Sequence, residues 1–153
     1  MKEYSKIIFV CRSGTARAPM AEAIMKEYPL QYPIAVESRG LVVLFPEPLN
    51  QKAEAVLISN GINMENHMSQ QLMPEDLAPG NLIITMEALQ AQKIMKEYEE
   101  AADADVYVLT ELVGDELEII NPYGGTLQSY GLCYETLNKS IQKLVKLING
   151  QGI

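Results

Sequence analysis

At 153 residues and 17.0 kDa the chain has the size of one domain, enough to bury about 70% of the surface its unfolded form exposes. A formal net charge of −8 and a pI near 4.7 exclude the broad basic face that nucleic acid or an anionic membrane needs, so any anion site must draw its attraction from local groups. No run of about 18 apolar residues is present, and the opening Met1-Lys2-Glu3-Tyr4 lacks the apolar stretch of a signal peptide. The expectation is a cytoplasmic protein in a reducing compartment. Two cysteines 122 positions apart make neither a disulfide framework nor a zinc site, and Cys133 reads as a packing residue.

A buried strand is predicted over 6–10, where Ile7, Ile8, Phe9 and Val10 follow one another. Cys11-Arg12-Ser13-Gly14-Thr15-Ala16-Arg17 then reads as a tight loop of small residues. A helix follows over 19–28, with Pro19 in its first turn, Met20, Ala23, Ile24 and Glu27 at helical spacing, and Pro29 as its stop. A second strand falls at 34–37, an irregular stretch at 39–48, and a helix at 49–60 that carries Leu49, Ala53, Val56 and Leu57 before Gly61. The third strand is 81–85 and the third helix 86–100, charged toward its end; Glu97, Glu99, Glu100, Asp103 and Asp105 read as a solvated face. A fourth strand at 105–109 and a second irregular stretch at 111–127 lead to the last helix, 130–149. Its stripe of Cys133, Leu137, Ile141, Leu144, Val145 and Ile148 is suited to covering a sheet, and Lys143 and Lys146 suit its closing dipole. Residues 150–153 are expected as a frayed tail after one domain of 1–149.

Alternating strands and helices predict an α/β, flavodoxin-like fold: a single three-layer domain, its four-stranded parallel sheet flanked by helices through right-handed crossovers. Ligands of such sheets bind beyond the carboxyl ends of the strands, where Cys11 sits and the two irregular stretches can rim a site. A loop opening a helix turns backbone N–H groups inward, the helix dipole adds positive potential, and a guanidinium grips two oxygens of a tetrahedral anion. Arg12, Ser13, Gly14, Thr15 and Ala16 would therefore line a cradle for phosphate or sulfate, closed by Arg17. An ordinary thiol is only about 3% ionised at pH 7, so nucleophilic work by Cys11 requires that cradle to favour the thiolate. The single histidine, His67, reads as a structural, hydrogen-bonded residue, because a Cys-Arg loop needs no base.

The loop runs on into Pro19-Met20-Ala21-Glu22, and Ser38 and Gly40 follow the second strand. Further along come His67-Met68-Ser69-Gln70-Gln71-Leu72, Leu82-Ile83-Ile84-Thr85-Met86 and Asn121-Pro122-Tyr123-Gly124-Gly125. In this order the segments resemble those of the low-molecular-weight protein tyrosine phosphatases over most of the chain. The resemblance implies that family's fold, a phosphorylated protein as substrate, and chemistry without metal or cofactor. It makes Cys11 the nucleophile that forms a phosphocysteine, Arg17 the clamp on the equatorial oxygens, and position 121 the place of the general acid. Tyr123 would either wall the cleft for a planar substrate or pack within its loop.

The departures from the family pattern matter equally. Asn121 stands where the family carries Asp; it donates a hydrogen bond but transfers no proton, a loss that typically costs about 10²–10⁴-fold in rate. Ala18 replaces a Ser expected to hydrogen-bond the thiolate, and Gly14 replaces an Asn, which is expected to loosen the cradle. Ser13 replaces a Gly, and Arg12 adds a cation that either assists the site or is a plain exposed loop residue. Ala16 stands where many members keep a second cysteine, implying an unprotected Cys11 with only a distant Cys133 elsewhere. Asp115, Glu116 and Glu118 are the loop carboxylates from which a surrogate proton would come.

Thr15 with Gly124-Gly125 resembles the family branch acting on phosphoarginine, whereas tyrosine-selective members carry a larger aliphatic residue at that loop position; both substrates stay open. The leading expectation is a slow cysteine phosphatase. The alternatives are an impaired module that binds phosphorylated partners without turnover and, less favoured, an arsenate reductase, whose relatives need further cysteines. Nothing in the sequence sets the oligomeric state.

Overall fold

A computed structural model of the protein describes residues 3–151. Ile7, Ile8, Phe9 and Val10 are completely buried, which explains why the first strand has no polar face. That strand, β1 (Lys6–Cys11), lies inside a parallel sheet of order β2-β1-β3-β4, with β2 spanning Ala35–Gly40, β3 Asn81–Thr85 and β4 Asp105–Val108. Side-chain alternation divides the core in two. Ile7, Phe9, Leu82 and Ile84 face α1 (Arg17–Met25), α2 (Gln51–Ser59) and α5 (Leu127–Lys146) through Met20, Ile24, Leu57, Leu137, Ile141 and Leu144. Ile8, Val10 and Ile83 face the other way, onto Leu72, Leu77, Ala101 and, from α3 (Ala88–Glu97), Ile94. The result is the expected three-layer arrangement of a four-stranded parallel sheet flanked by helices.

Element boundaries depart from expectation where polar groups find tertiary partners. β2 continues past Glu37 because Arg39, which a solvent-facing reading would end the strand on, is held by Glu37 at 2.7 Å and Asp76 at 3.2 Å. α1 starts at Arg17, leaving Pro19 in its first turn where no N–H is needed, and stops before an exposed Glu27. The third helix ends at Glu97, and a 3-10 turn over Glu99–Asp103 takes its place. Leu109 opens a short helix, α4 (Leu109–Val113), so β4 is one residue shorter and the 111–127 stretch begins helical. Thr126 accepts the N–H of Ser129 and starts α5 three residues early. At the other end Leu147–Gln151 forms a final π-turn that includes Gly150, and the last two residues of the expected tail lie outside the described residues. No helix among the described residues is long and apolar enough to cross a membrane.

Candidate active site

Cys11 is the last residue of β1 and is buried, with its Sγ receiving the N–H of Gly14 at 3.3 Å and of Ala18 at 3.4 Å. The loop is held open from outside. Its carbonyls point away from the sulfur: Cys11 O accepts from Leu41 N–H, Arg12 O from Val42 N–H, Gly14 O from His67 Nε2 at 2.9 Å, and Thr15 O from Asn50 N–H at 2.8 Å. Turning the carbonyls outward is what leaves N–H groups for the inside. His67 thus has the structural role the sequence suggested.

Gly14 is more constrained than its lack of a side chain implies. Its φ is +72°, a left-handed value where L side chains are strained, and an added Cβ would lie 3.0 Å from Gly40 N. Gly40 is closer still to the loop, since a Cβ there would meet Ser13 C at 2.6 Å. The end of β2 and the loop therefore pack backbone on backbone, and the expected loosening at Gly14 is opposed by His67, by the Sγ bond and by Gly40. Ser13 and Thr15 have their hydroxyls 2.7 Å apart, while Arg12 is exposed and its side chain makes no hydrogen bond among the described residues. Ala16 is half-buried, and its carbonyl accepts the Met20 N–H in the first turn of α1.

Arg17 is only 3% exposed. Its Nη1 donates to Ile119 O at 2.9 Å and pairs with Glu87 Oε2 at 2.7 Å, whereas Nε and Nη2 bond to no described residue and are not sealed from solvent. The guanidinium is anchored by one corner and presents the opposite edge. Glu87 escaped the sequence reading, although a signal existed: it lies two residues past the end of β3, where loops of a parallel sheet face the ligand. Two further residues went unnoticed. Asn50 caps α2 by accepting the N–H groups of Lys52 and Ala53, and Lys52 Nζ donates to Gly125 O at 2.5 Å while lying 5.9 Å above the Tyr130 ring. The start of α2 ties the Cys11 loop to the Asn121 loop.

In that second loop Asn121 Oδ1 accepts the Tyr123 N–H at 3.1 Å, an Asx turn, and Gly125 N–H closes onto Pro122 O at 2.8 Å. Tyr123 is 84% exposed, so it stands out from the loop and does not pack within it. The carboxylates nearby in sequence are occupied: Asp115 by Lys143 and by the Ser140 hydroxyl at 2.6 Å, Glu118 by the Ala88 N–H at 2.6 Å. Glu116 borders a cavity of about 620 Å³ along α5 that none of Cys11, Arg17 or Asn121 lines. Cys133 is less remote than its sequence separation suggests. It shares a core cluster with Cys11, and burial, reinforced by Cys11 and opposed by Arg17, pushes its thiol up to about 11.

A cysteine at a parallel strand's carboxyl end, with amides on its sulfur and a half-anchored guanidinium beside it, defines an α/β protein whose loop is built to face an anion. Comparison with known proteins narrows that class. The low molecular weight phosphotyrosine protein phosphatase family matches residues 6–152. The low molecular weight protein-tyrosine-phosphatase PtpB of Staphylococcus aureus is 34% identical over 143 residues, covering 94% of this chain and 99% of that relative. YwlE arginine phosphatase from Geobacillus stearothermophilus superposes with a TM-score of 0.84 at 28% identity, over 93% of this chain and 91% of that one. A cysteine-to-serine mutant of YwlE arginine phosphatase with a phosphorylated active site serine superposes at 0.86 and 28% identity, over 95% and 97%. The chain belongs to the low-molecular-weight protein tyrosine phosphatase family of hydrolases, which act on phosphorylated proteins.

Proposed function

We propose that this protein is a cysteine-dependent protein phosphatase that removes phosphate from phosphotyrosine or phosphoarginine through a phosphocysteine, slowly because position 121 is Asn. The observation that carries the reading is the Cys11 sulfur held by the Gly14 and Ala18 amides beside an Arg17 whose Nε and Nη2 are available. In the first step Sγ supplies the electron pair of a new S–P bond as the bond from phosphorus to the leaving oxygen or nitrogen breaks. The transferred group is loose and anionic, so loop amides and the Arg17 edge stabilise it by position and charge. Water then cleaves S–P, releasing phosphate and the thiolate. Support for a covalent step comes from the arginine phosphatase relative with phosphate on the serine that replaces its cysteine. The Thr15 hydroxyl and Gly124-Gly125 support phosphoarginine, the tyrosine phosphatase relatives phosphotyrosine.

A second reading, a module that binds phosphorylated partners without turnover, is favoured by Asn121 and by Ala18, where the sulfur receives an amide and no hydroxyl. Turnover of p-nitrophenyl phosphate separates the two, because its leaving group needs little protonation. Wild type is expected to exceed Cys11→Ser by at least about 100-fold; equal rates would leave only the binding module.

A further inference from the structure

We infer that this site is selective for the leaving group, and that its preferred substrates are acyl phosphates, mixed anhydrides of phosphate and a carboxylic acid. The inference rests on the phosphocysteine reading above and concerns which bond that chemistry can break. Expelling the tyrosine side chain as a phenolate opposes a conjugate-acid pKa of about 10, whereas a carboxylate departs with a pKa of about 4. The first needs a proton in flight; the second does not.

The structure supplies no such proton from the groups placed to give one. Asn121 spends its Oδ1 on the Tyr123 N–H, which leaves its NH₂ as the group it can present: a hydrogen-bond donor that cannot be deprotonated at neutral pH. Asp115 is ion-paired with Lys143 and bonded to Ser140, and Lys143 and Ser140, from within and without, outweigh burial and hold its carboxyl below the ordinary carboxylate range. Glu118 is committed to the first N–H of α3 at 2.6 Å. Glu87 is, among the described residues, the carboxylate paired with the Arg17 guanidinium, and its Oε2 is engaged by that cation at 2.7 Å.

With an acyl phosphate the step balances without a general acid. The Cys11 thiolate pair forms S–P, the P–O bond pair leaves on the carboxylate oxygen, and no proton moves; Asn121 NH₂ donates a hydrogen bond to the departing oxygen. The following hydrolysis of S–P also lacks a carboxylate at position 121 to take a proton from water, so phosphocysteine is expected to accumulate, and product release should begin with a burst.

The test uses a near-matched pair, benzoyl phosphate and phenyl phosphate, on wild type, Asn121→Asp and Cys11→Ser, with Cys11→Ser rates subtracted. Wild type should show a kcat/KM for benzoyl phosphate at least about 100-fold above that for phenyl phosphate, with a burst of benzoate equal to the enzyme concentration. In Asn121→Asp the gain on phenyl phosphate should exceed the gain on benzoyl phosphate by about 10²–10⁴, the range a general acid supplies. Aryl phosphates of graded phenol acidity give an independent readout on wild type alone, and their kcat/KM, which reports the phosphorylation step and not the hydrolysis of phosphocysteine, should fall steeply as the phenol weakens. A flat kcat/KM series, or equal wild-type kcat/KM on the matched pair, overturns the leaving-group inference while leaving a phosphatase in place. Absence of any rate above Cys11→Ser overturns both readings.

Discussion

Gly14 and Glu87 carry site geometry through opposite means, one by lacking a side chain and the other by presenting a charge. Placing a Cβ at φ +72°, 3.0 Å from Gly40 N, strains the backbone directly beneath the sulfur. Gly14→Ala is expected to lose about 1–2 kcal/mol in urea unfolding, about 2–8 °C in Tm at this chain length. Glu87→Gln keeps the shape of the anchor but removes its charge from a guanidinium that is 3% exposed. Its expected effect is a loss of about tenfold in kcat/KM for p-nitrophenyl phosphate, with the unfolding midpoint nearly unchanged, because small displacements of a clamp are costly. Cys11 and Arg17 were readable as a spacing. For Glu87 only its place after β3 was readable; its pairing with Arg17 was not, because that depends on β3 register: Thr85 pairs with Val10, which brings the residues after it alongside Cys11.

Among the elements, α2 has the least obvious task. Its sequence pattern predicts a helix against the core, and Ala53, Val56 and Leu57 are indeed buried. Its first residues do more: Asn50 N–H holds the Thr15 carbonyl, Asn50 Oδ1 caps the helix, and Lys52 reaches Gly125. Asn50→Ala should cost about 1 kcal/mol of stability by urea unfolding through the lost cap. Asn50 fell inside the helix predicted over 49–60, and its bond to Thr15 joins residues brought together only when α2 packs beside the loop. The same limit explains α4 and the early start of α5. Short helical pieces such as Leu109–Val113 take their stability from packing, and periodicity over five residues is too brief to show it.

On the scale of the whole molecule, acid should unfold the protein by removing two tethers. At Glu37 burial raises the pKa, but bonds and charge from Arg39 and Lys6 outweigh it and leave the net shift downward from 4.5. At Asp115 burial likewise raises it, and Lys143 and Ser140 bring it below 3.8. A carboxyl lowered on folding adds stability above its unfolded pKa and loses it as pH falls through the folded one. The urea midpoint is therefore expected to drop as pH falls from about 5 toward 3, and Glu37→Gln with Asp115→Asn should flatten that slope; an unchanged slope would place the acid sensitivity elsewhere.

Strand and helix order, the buried character of β1, and the pairing of Cys11 with Arg17 across a small-residue loop follow from local chemistry, because burial and backbone preference are written into runs of neighbouring residues. The anchoring of Arg17 by Glu87 and Ile119, the contact of Gly14 with Gly40, the nearness of Cys133 and the commitment of Asp115 and Glu118 were decided by the tertiary structure. Each joins groups far apart in the chain, and their distances exist only once parallel strands fix a common register at the edge where the loops meet.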